Sequence, residues 1–347
     1  MSTPKNPKRT YNITSMIPKK EHEDANLEQT LRPTRWDEYV GQEPIKKNLK
    51  ILMQAARERS EALEHVLLHG PAGLGKTSLA HLIAREMSSQ MKITSGPAIE
   101  RVGDLASILT NLTSGDILFI DEVHRLNKTI EEVLYPAMES RTLDIIIGKG
   151  PGARSIQLEL PPFTLIAATT RMALLSNPLR SRFSGGTFKL DYYTTEELVR
   201  IINRSSDILK TTVNPGAAEL IAARSRFTPR IANRLLKRSR DYAQVHKIPE
   251  INQDVVIKTL ELLGVDSEGL EETDRQLLRV LINKFGGGPV GLNTLAVAAS
   301  EDPGTVEEVY EPFLLRLGFI ERTPRGRVAS AKAWQHLGLT LPQKYLL

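Results

Sequence analysis

The chain has 347 residues, too many for one compact domain by the scaling of core size with length, so two or three domains are expected. Its 40% hydrophobic and 25% charged residues are the balance of a globular protein, and no apolar run nears the roughly 18 residues of a membrane span. There is no cysteine, which excludes disulfides, thiolate zinc sites and cysteine nucleophiles, and the formal charge is +5.

That excess is concentrated at the front of the chain. Lys5, Lys8, Arg9, Lys19 and Lys20 stand in a stretch without acids, and an acidic patch from Glu21 to Asp24 follows. Residues 1–30 read as a solvated, flexible leader in preference to a specific nucleic-acid arm. The leader lacks the apolar core of a signal peptide, so a cytoplasmic location is expected.

In "RPTRWDEYVGQEPIKKNLKILMQAARER", Ile45, Leu49, Leu52, Met53 and Ala56 recur at helical spacing. From His65 the pattern changes to short, continuously apolar runs, "HVLLHG", "DILFID" and "FTLIAATT", separated by helical stretches. Strands buried on both faces and alternating with helices predict an α/β parallel sheet, here over residues 31–191. Beyond Asp191 the strand signals vanish. "TTEELVRIINRSSDILK", "NPGAAELIAARSR" and "TPRIANRLLKRSRDYAQVHK" predict a small helical lid domain, 192–264, opened by a capping box of Thr194 with Glu197. After the acidic link "LLGVDSEGLEETD" come three more helices, the last with a second capping-box pattern, Thr305 with Glu308. A basic two-stranded ribbon, "FIERTPRGRVAS", completes a winged-helix domain over 265–347, a frequent DNA-binding architecture.

The chemistry is carried by two motifs. "GPAGLGKTS", Gly70 to Ser78, fits G-x-x-x-x-G-K-[ST] between a predicted strand and helix. Gly70, Gly73 and Gly75 let backbone N–H groups turn onto phosphate oxygens, Lys76 reaches the β and γ phosphates, and Thr77 and Ser78 open the helix, Thr77 as a magnesium ligand. "ILFIDEVHRL" supplies Asp121 to hold magnesium and Glu122 to orient and deprotonate the attacking water, a pairing that implies hydrolysis and not binding alone. His124 is read as a structural neighbour. Thr169 and Thr170 end the third strand, where a hydroxyl can meet a γ-phosphate or cap the strand. Arg180, Arg182 and Arg230 follow in the order expected of cations that stabilise a transferring phosphoryl group.

The segment "DIIIGKGPGARSIQLELPP" lies outside this chemistry. Ile145 and Ile147 share one strand face, Ile156 and Leu158 share a face on the return, and Gly148, Gly150 and Gly152 make the turn. On the residues themselves, a hairpin folded on its own core and an exposed docking site are equally compatible with this pattern.

From "LRPTRWDEYVGQ" through "GPAGLGKTSLA", "FIDEVHRLN", "DIIIGKGPGARSI", "PLRSRF", "TPRIANRLLKR" and "GGGPVGLNTLA" to "RTPRGRVAS", the chain resembles the RuvB family of Holliday junction branch-migration motors, of the AAA+ class. The resemblance implies an AAA+ ATPase domain with ATP/ADP and Mg2+ as cofactors. It also implies a homo-hexameric ring on duplex DNA at four-way junctions, a RuvA-type partner and a RuvC-type resolvase acting nearby. It makes Thr170 the first sensor, Arg182 a finger on a neighbour's nucleotide and Arg230 the second sensor. Leu31, Arg32, Tyr193 and the glycine loop enclose the nucleotide, Arg322, Arg325 and Arg327 of the wing meet DNA, and Ile145 and Ile147 of the 144–159 hairpin anchor the partner. Ala72 and Ser78 depart mildly from the family pattern. The longer "RFSGGTF" leaves Tyr192 and Tyr193 as alternatives for the tyrosine position, and Phe227 replaces the usual glycine. A protein-remodelling ring is disfavoured, because no aromatic residue for a pore loop lies between Tyr39 and Phe119, and a clamp loader is not expected to end in a winged module.

Overall fold

The computed structural model describes residues 29–147 and 154–341. The predicted leader through residue 28, the glycine turn at 148–153 and residues 342–347 lie outside the described residues, as do the side chains of residues 145–147, 154 and 155. At the start of the described residues, Arg32 N donates to Gln29 O (3.3 Å) in a short helical turn that also holds Leu31. Residues from Pro33 onward pack as one unit.

Five parallel strands form the central sheet: β1 Val66–His69, β2 Met91–Ser95, β3 Ile117–Asp121, β6 Thr164–Thr169 and β7 Gly186–Lys189, with a separate antiparallel pair, β4 Thr142–Ile147 and β5 Arg154–Glu159, between the third and the fourth. Their order is β2-β3-β6-β1-β7. The three apolar runs read from the sequence are its three inner strands. Side chains alternate across the sheet, so Val66 and Leu68, Ile117 and Phe119, and Ile166 and Ala168 enter one apolar cluster, while Leu67, Leu118, Ile120, Leu165 and Ala167 enter another on the opposite face. At about 1.5–3 kcal/mol per fully buried aliphatic side chain, these inner strands dominate the sheet's stability. The edge strands β2 and β7 extend the expected sheet. Their short sequences "MKITS" and "GTFK" are half-exposed and carry too little apolar signal to be read.

Helices α1 Glu43–Arg59, α2 Lys76–Glu86, α3 Val102–Thr110, α4 Lys128–Glu139 and α5 Asn177–Ser181 complete this region. The lid contains α6 Thr195–Ile208, α7 Pro215–Ala223, α8 Pro229–Val245 and a fourth helix, α9 Gln253–Leu262, beyond the three expected. The Thr194–Glu197 capping box forms as predicted, with Glu197 N donating to Thr194 Oγ1 (3.2 Å) and Thr194 N to Glu197 Oε2 (2.9 Å). Leu198, Ile202, Ile221, Leu235 and Leu236 of the lid join the same cluster as Val66 and Leu79, so the lid shares a core with one face of the sheet.

The head has its own core around Leu278, Leu281, Phe313 and Phe319. It comprises α10 Glu272–Phe285, α11 Leu292–Ala298, a third helical run from Pro303 to Arg316, the ribbon β8 Ile320–Thr323 with β9 Gly326–Ala329, and a short closing helix, Ala331–His336. The expected Thr305–Glu308 capping box does not form. Asp302 caps the third run, accepting from Thr305 N (2.9 Å), with Pro303 at the first helical position, and Glu308 is engaged elsewhere.

The hairpin leaves the second cluster end-on. Leu143 is buried and Leu158 packs against that cluster, while Ile156, paired with Ile145, is 44% exposed. One face therefore begins in the core and emerges into solvent toward the turn.

Candidate functional site

The inner strands deliver their C-terminal ends to one edge of the sheet, where an open α/β fold binds its ligands. From β1 the chain turns through Gly70, Gly73 and Gly75, all with positive φ, into α2 at Lys76, the predicted helix start. At Gly70 a Cβ would stand 2.6 Å from Leu190 O, so only glycine lets the loop leave β1 this way. The first intrahelical bond of α2 is Leu79 N to Gly75 O (2.9 Å), which leaves the amides of Lys76, Thr77 and Ser78 at the positive end of the helix dipole.

Lys76 is buried and its Nζ donates to Gly70 O (2.7 Å) and Pro71 O (2.8 Å). Burial lowers its pKa to about 8; Arg230 pushes the same way, and Asp121 and Glu122 oppose them. A buried ammonium drawn down by desolvation, in a glycine turn lined by helix amides, fits a polyphosphate, whose charge would restore it.

Two buried tyrosines brace the loop from behind. Tyr193 donates to Leu74 O (3.2 Å) and Tyr39 to Gly75 O (3.5 Å). Burial raises the Tyr193 phenol to about 12 and pushes Tyr39 well above its usual value. Tyr192 instead packs against Phe227 with the Arg316 guanidinium over its ring, so it is Tyr193 that touches the glycine loop. Tyr39 was legible only as part of "WDEYVGQ", a stretch with no chemical signature of its own. Arg230, at the start of α8, lies beside Gly73: its N donates to Gly73 O (3.4 Å), and a Cβ on Gly73 would come within 3.1 Å of Arg230 Cβ.

Asp121 ends β3 and accepts from Glu122 N through Oδ1 (2.9 Å). Glu122 has left-handed backbone, φ 48° and ψ 43°, an uncommon conformation for a side-chain-bearing residue and a common one at functional sites. Its carboxylate is steered by Arg125 (3.2 Å). His124, expected to be a structural neighbour, meets the buried Thr169 hydroxyl through Nδ1 (3.0 Å), and that hydroxyl also accepts from Arg171 N (3.0 Å). Thr170 donates to Glu308 of the head (3.0 Å).

Arg182 lies on a different surface. It donates to Glu139 (2.9 Å) and Pro178 O (2.6 Å), with its guanidinium 4.5 Å from the centre of the Tyr135 ring. Arg180 is tied to Asn177 in the same helix.

Of the three wing arginines expected to meet DNA, two are engaged by a buried acid. Glu311, 1% exposed, takes Arg327 through both oxygens (3.0 and 2.9 Å) and Arg322 through one (2.9 Å). Arg327 is 13% exposed and is a counter-ion for a buried carboxylate, whereas Arg322 remains 53% exposed. Arg325, in the turn between β8 and β9, is exposed.

A parallel sheet whose glycine loop precedes a helix, with an acidic pair two strands away, a helical lid on the same core and a winged-helix head, defines a P-loop ATPase of the AAA+ class. Three family models cover nearly all of it: the Holliday junction DNA helicase RuvB P-loop domain over residues 31–189, the RuvB AAA lid domain over 193–266 and the RuvB C-terminal winged helix domain over 267–338. The chain belongs to the RuvB family. It is similar to the Holliday junction branch migration complex subunit RuvB of Chloroflexus aggregans, 55% identical over 329 residues that cover 95% of this chain and 94% of that protein. The Chloroflexus aurantiacus counterpart is 54% identical over the same length. Among solved structures, the Thermotoga maritima RuvB Holliday junction branch migration motor aligns with a TM-score of 0.83 at 50% identity, over 90% of this chain and all of that one.

Proposed function

We propose that this chain is an ATP-driven motor that moves the arms of Holliday junctions in recombination and repair. The observation that carries it is one sheet edge that holds Lys76, Asp121 and Glu122 together, in a unit continuous with a winged-helix head. Gly70, Gly73, Gly75, Lys76, Thr77 and Ser78 cradle the phosphates, and Glu122 takes the proton of the attacking water. Thr77 and Asp121 would hold Mg2+, which when bound draws charge from the β and γ phosphates. Arg230, carried by the lid beside Gly73, reports on the nucleotide to the lid, and Thr170 orients the γ-phosphate or the water. Arg182, held on the face of α4 by Glu139 and Tyr135, serves a neighbouring subunit's nucleotide in a homo-hexameric ring. The hairpin, with Ile145 and Ile147 as its anchors, docks a RuvA-type partner, with duplex DNA at a four-way junction as the substrate and a RuvC-type resolvase acting on the same junction; the exposure of Ile156 on the returning strand supports this reading. Among the described residues no helix is long and apolar enough to cross a membrane, and a cytoplasmic location fits this activity.

The wing tests the DNA half of the proposal. Of its three arginines, Arg325 is exposed and Arg322 half-exposed, which supports phosphate contacts by these two, while Arg327 is engaged with Glu311. Replacing Arg322 and Arg325 by alanine weakens duplex binding and lowers the slope of log K against log salt by about 0.9 per lost phosphate contact. Fluorescence anisotropy on labelled duplex over a salt series reads this directly. An unchanged slope would move the DNA contact away from the wing.

A further inference from the structure

The head reaches back onto the sheet at one place that nucleotide chemistry does not require. Thr170 donates its hydroxyl proton to Glu308 Oε2 at 3.0 Å. The other oxygen of that carboxylate pairs with Arg171 Nε, and the Arg171 terminal nitrogen lies 3.5 Å from both Glu307 Oε2 and Gly304 O. These contacts tie the two residues that follow β6 to the head's third helical run. Glu307 and Glu308 sit in Val306–Tyr310, which is π-helical, a rare widened turn that concentrates at functional sites. They also occupy the stretch where the sequence pattern had assigned Glu308 to an ordinary capping box. The local role goes to Asp302, leaving Glu308 to a partner 138 positions away.

A threonine hydroxyl has one proton to donate. While Glu308 accepts it, that proton is not available to a γ-phosphate oxygen or to an attacking water, and the carboxylate's charge opposes a phosphate oxygen approaching the same hydroxyl. We propose that Glu308 is a latch, a positioning residue through which the winged-helix head withholds Thr170 from the triphosphate, so that a shift of the head on duplex DNA releases the sensor for hydrolysis. This inference rests on the assignment of Thr170 under Proposed function. By linkage, a triphosphate that competes for Thr170 weakens the latch, and anything that moves the head changes triphosphate affinity by the same factor.

The test uses the full chain carrying Glu308→Gln or Glu308→Ala, with steady-state ATPase measured with and without linear duplex. Affinities for ADP and for a non-hydrolysable ATP analogue are measured in parallel. Loss of a charge-assisted hydrogen bond from the latched state raises basal turnover without DNA by about tenfold in the alanine variant, and by less in glutamine, which keeps an acceptor. Stimulation by duplex shrinks to match, affinity for the ATP analogue rises, and ADP affinity stays as it was. A merely structural contact would leave both the basal turnover and the ATP-to-ADP preference alone. Basal turnover at or below wild type in both variants, in a preparation whose parent hydrolyses ATP and responds to duplex, overturns the latch and leaves the proposed function standing. A parent that does not hydrolyse ATP defeats the proposed function, and the latch with it.

Discussion

Replacing Glu122 by glutamine leaves ATP binding intact and lowers kcat by roughly 10²- to 10⁴-fold, the range for loss of a positioned general base. The glutamine keeps the shape and an acceptor oxygen, so the left-handed backbone at this position and its abutment on Gly96, where a Cβ would meet Glu122 O at 2.4 Å, persist. What is lost is the ability to take the water's proton. Lys76→Ala separates the two halves of the site: it removes the one ammonium buried in the glycine loop, and binding is lost along with turnover. Nucleotide affinity by calorimetry and turnover by phosphate release distinguish the two variants. Wild-type turnover in Glu122→Gln would remove this carboxylate from the chemistry.

The second large effect is expected at a residue that touches no part of the glycine loop in its own chain. Arg182→Ala lowers turnover of the assembled ring by about 10³-fold or more, as for other arginines supplied to a phosphoryl-transfer site in trans. In one chain the guanidinium is fixed by Glu139, Pro178 O and the Tyr135 ring, on a surface carried by α4 and α5. This is a pre-set orientation, so little ordering is needed when a neighbour's nucleotide meets it. Mixing Arg182→Ala subunits with Lys76→Ala subunits restores part of the activity, because some interfaces then pair an intact loop with an intact arginine. Absence of any recovery, with both variants shown by sedimentation to enter mixed rings, would place Arg182 in cis.

The sequence made the nucleotide site legible for a physical reason: phosphate binding needs glycines at fixed offsets, a lysine and a helix start, and all of these are local. The inner strands were legible because burial on both faces forces continuous apolar runs. The edge strands β2 and β7 were not, since half-exposed four- and five-residue strands alternate too briefly to stand out. The lid's dependence on the sheet's core was also hidden, because Leu235 and Leu236 show helical spacing whether they pack within the lid or against a strand. The wing shows the clearest limit. "RTPRGR" announces cations, but only the fold reveals that Glu311, distant enough in sequence to give no signal, claims Arg327 and part of Arg322. Glu308 is the converse, a residue whose local pattern suggested a helix cap and whose partner lies in another domain.

The most direct measurement is branch migration of a synthetic four-way junction by the purified chain with a RuvA-type protein and ATP. Wild type is expected to convert the junction to duplex products, omission of ATP or of the partner to slow this sharply, and Glu122→Gln to bind the junction without moving it. Migration by Glu122→Gln at the wild-type rate, or an ATP-hydrolysing wild type that leaves the junction in place beside its partner, would contradict the proposed function.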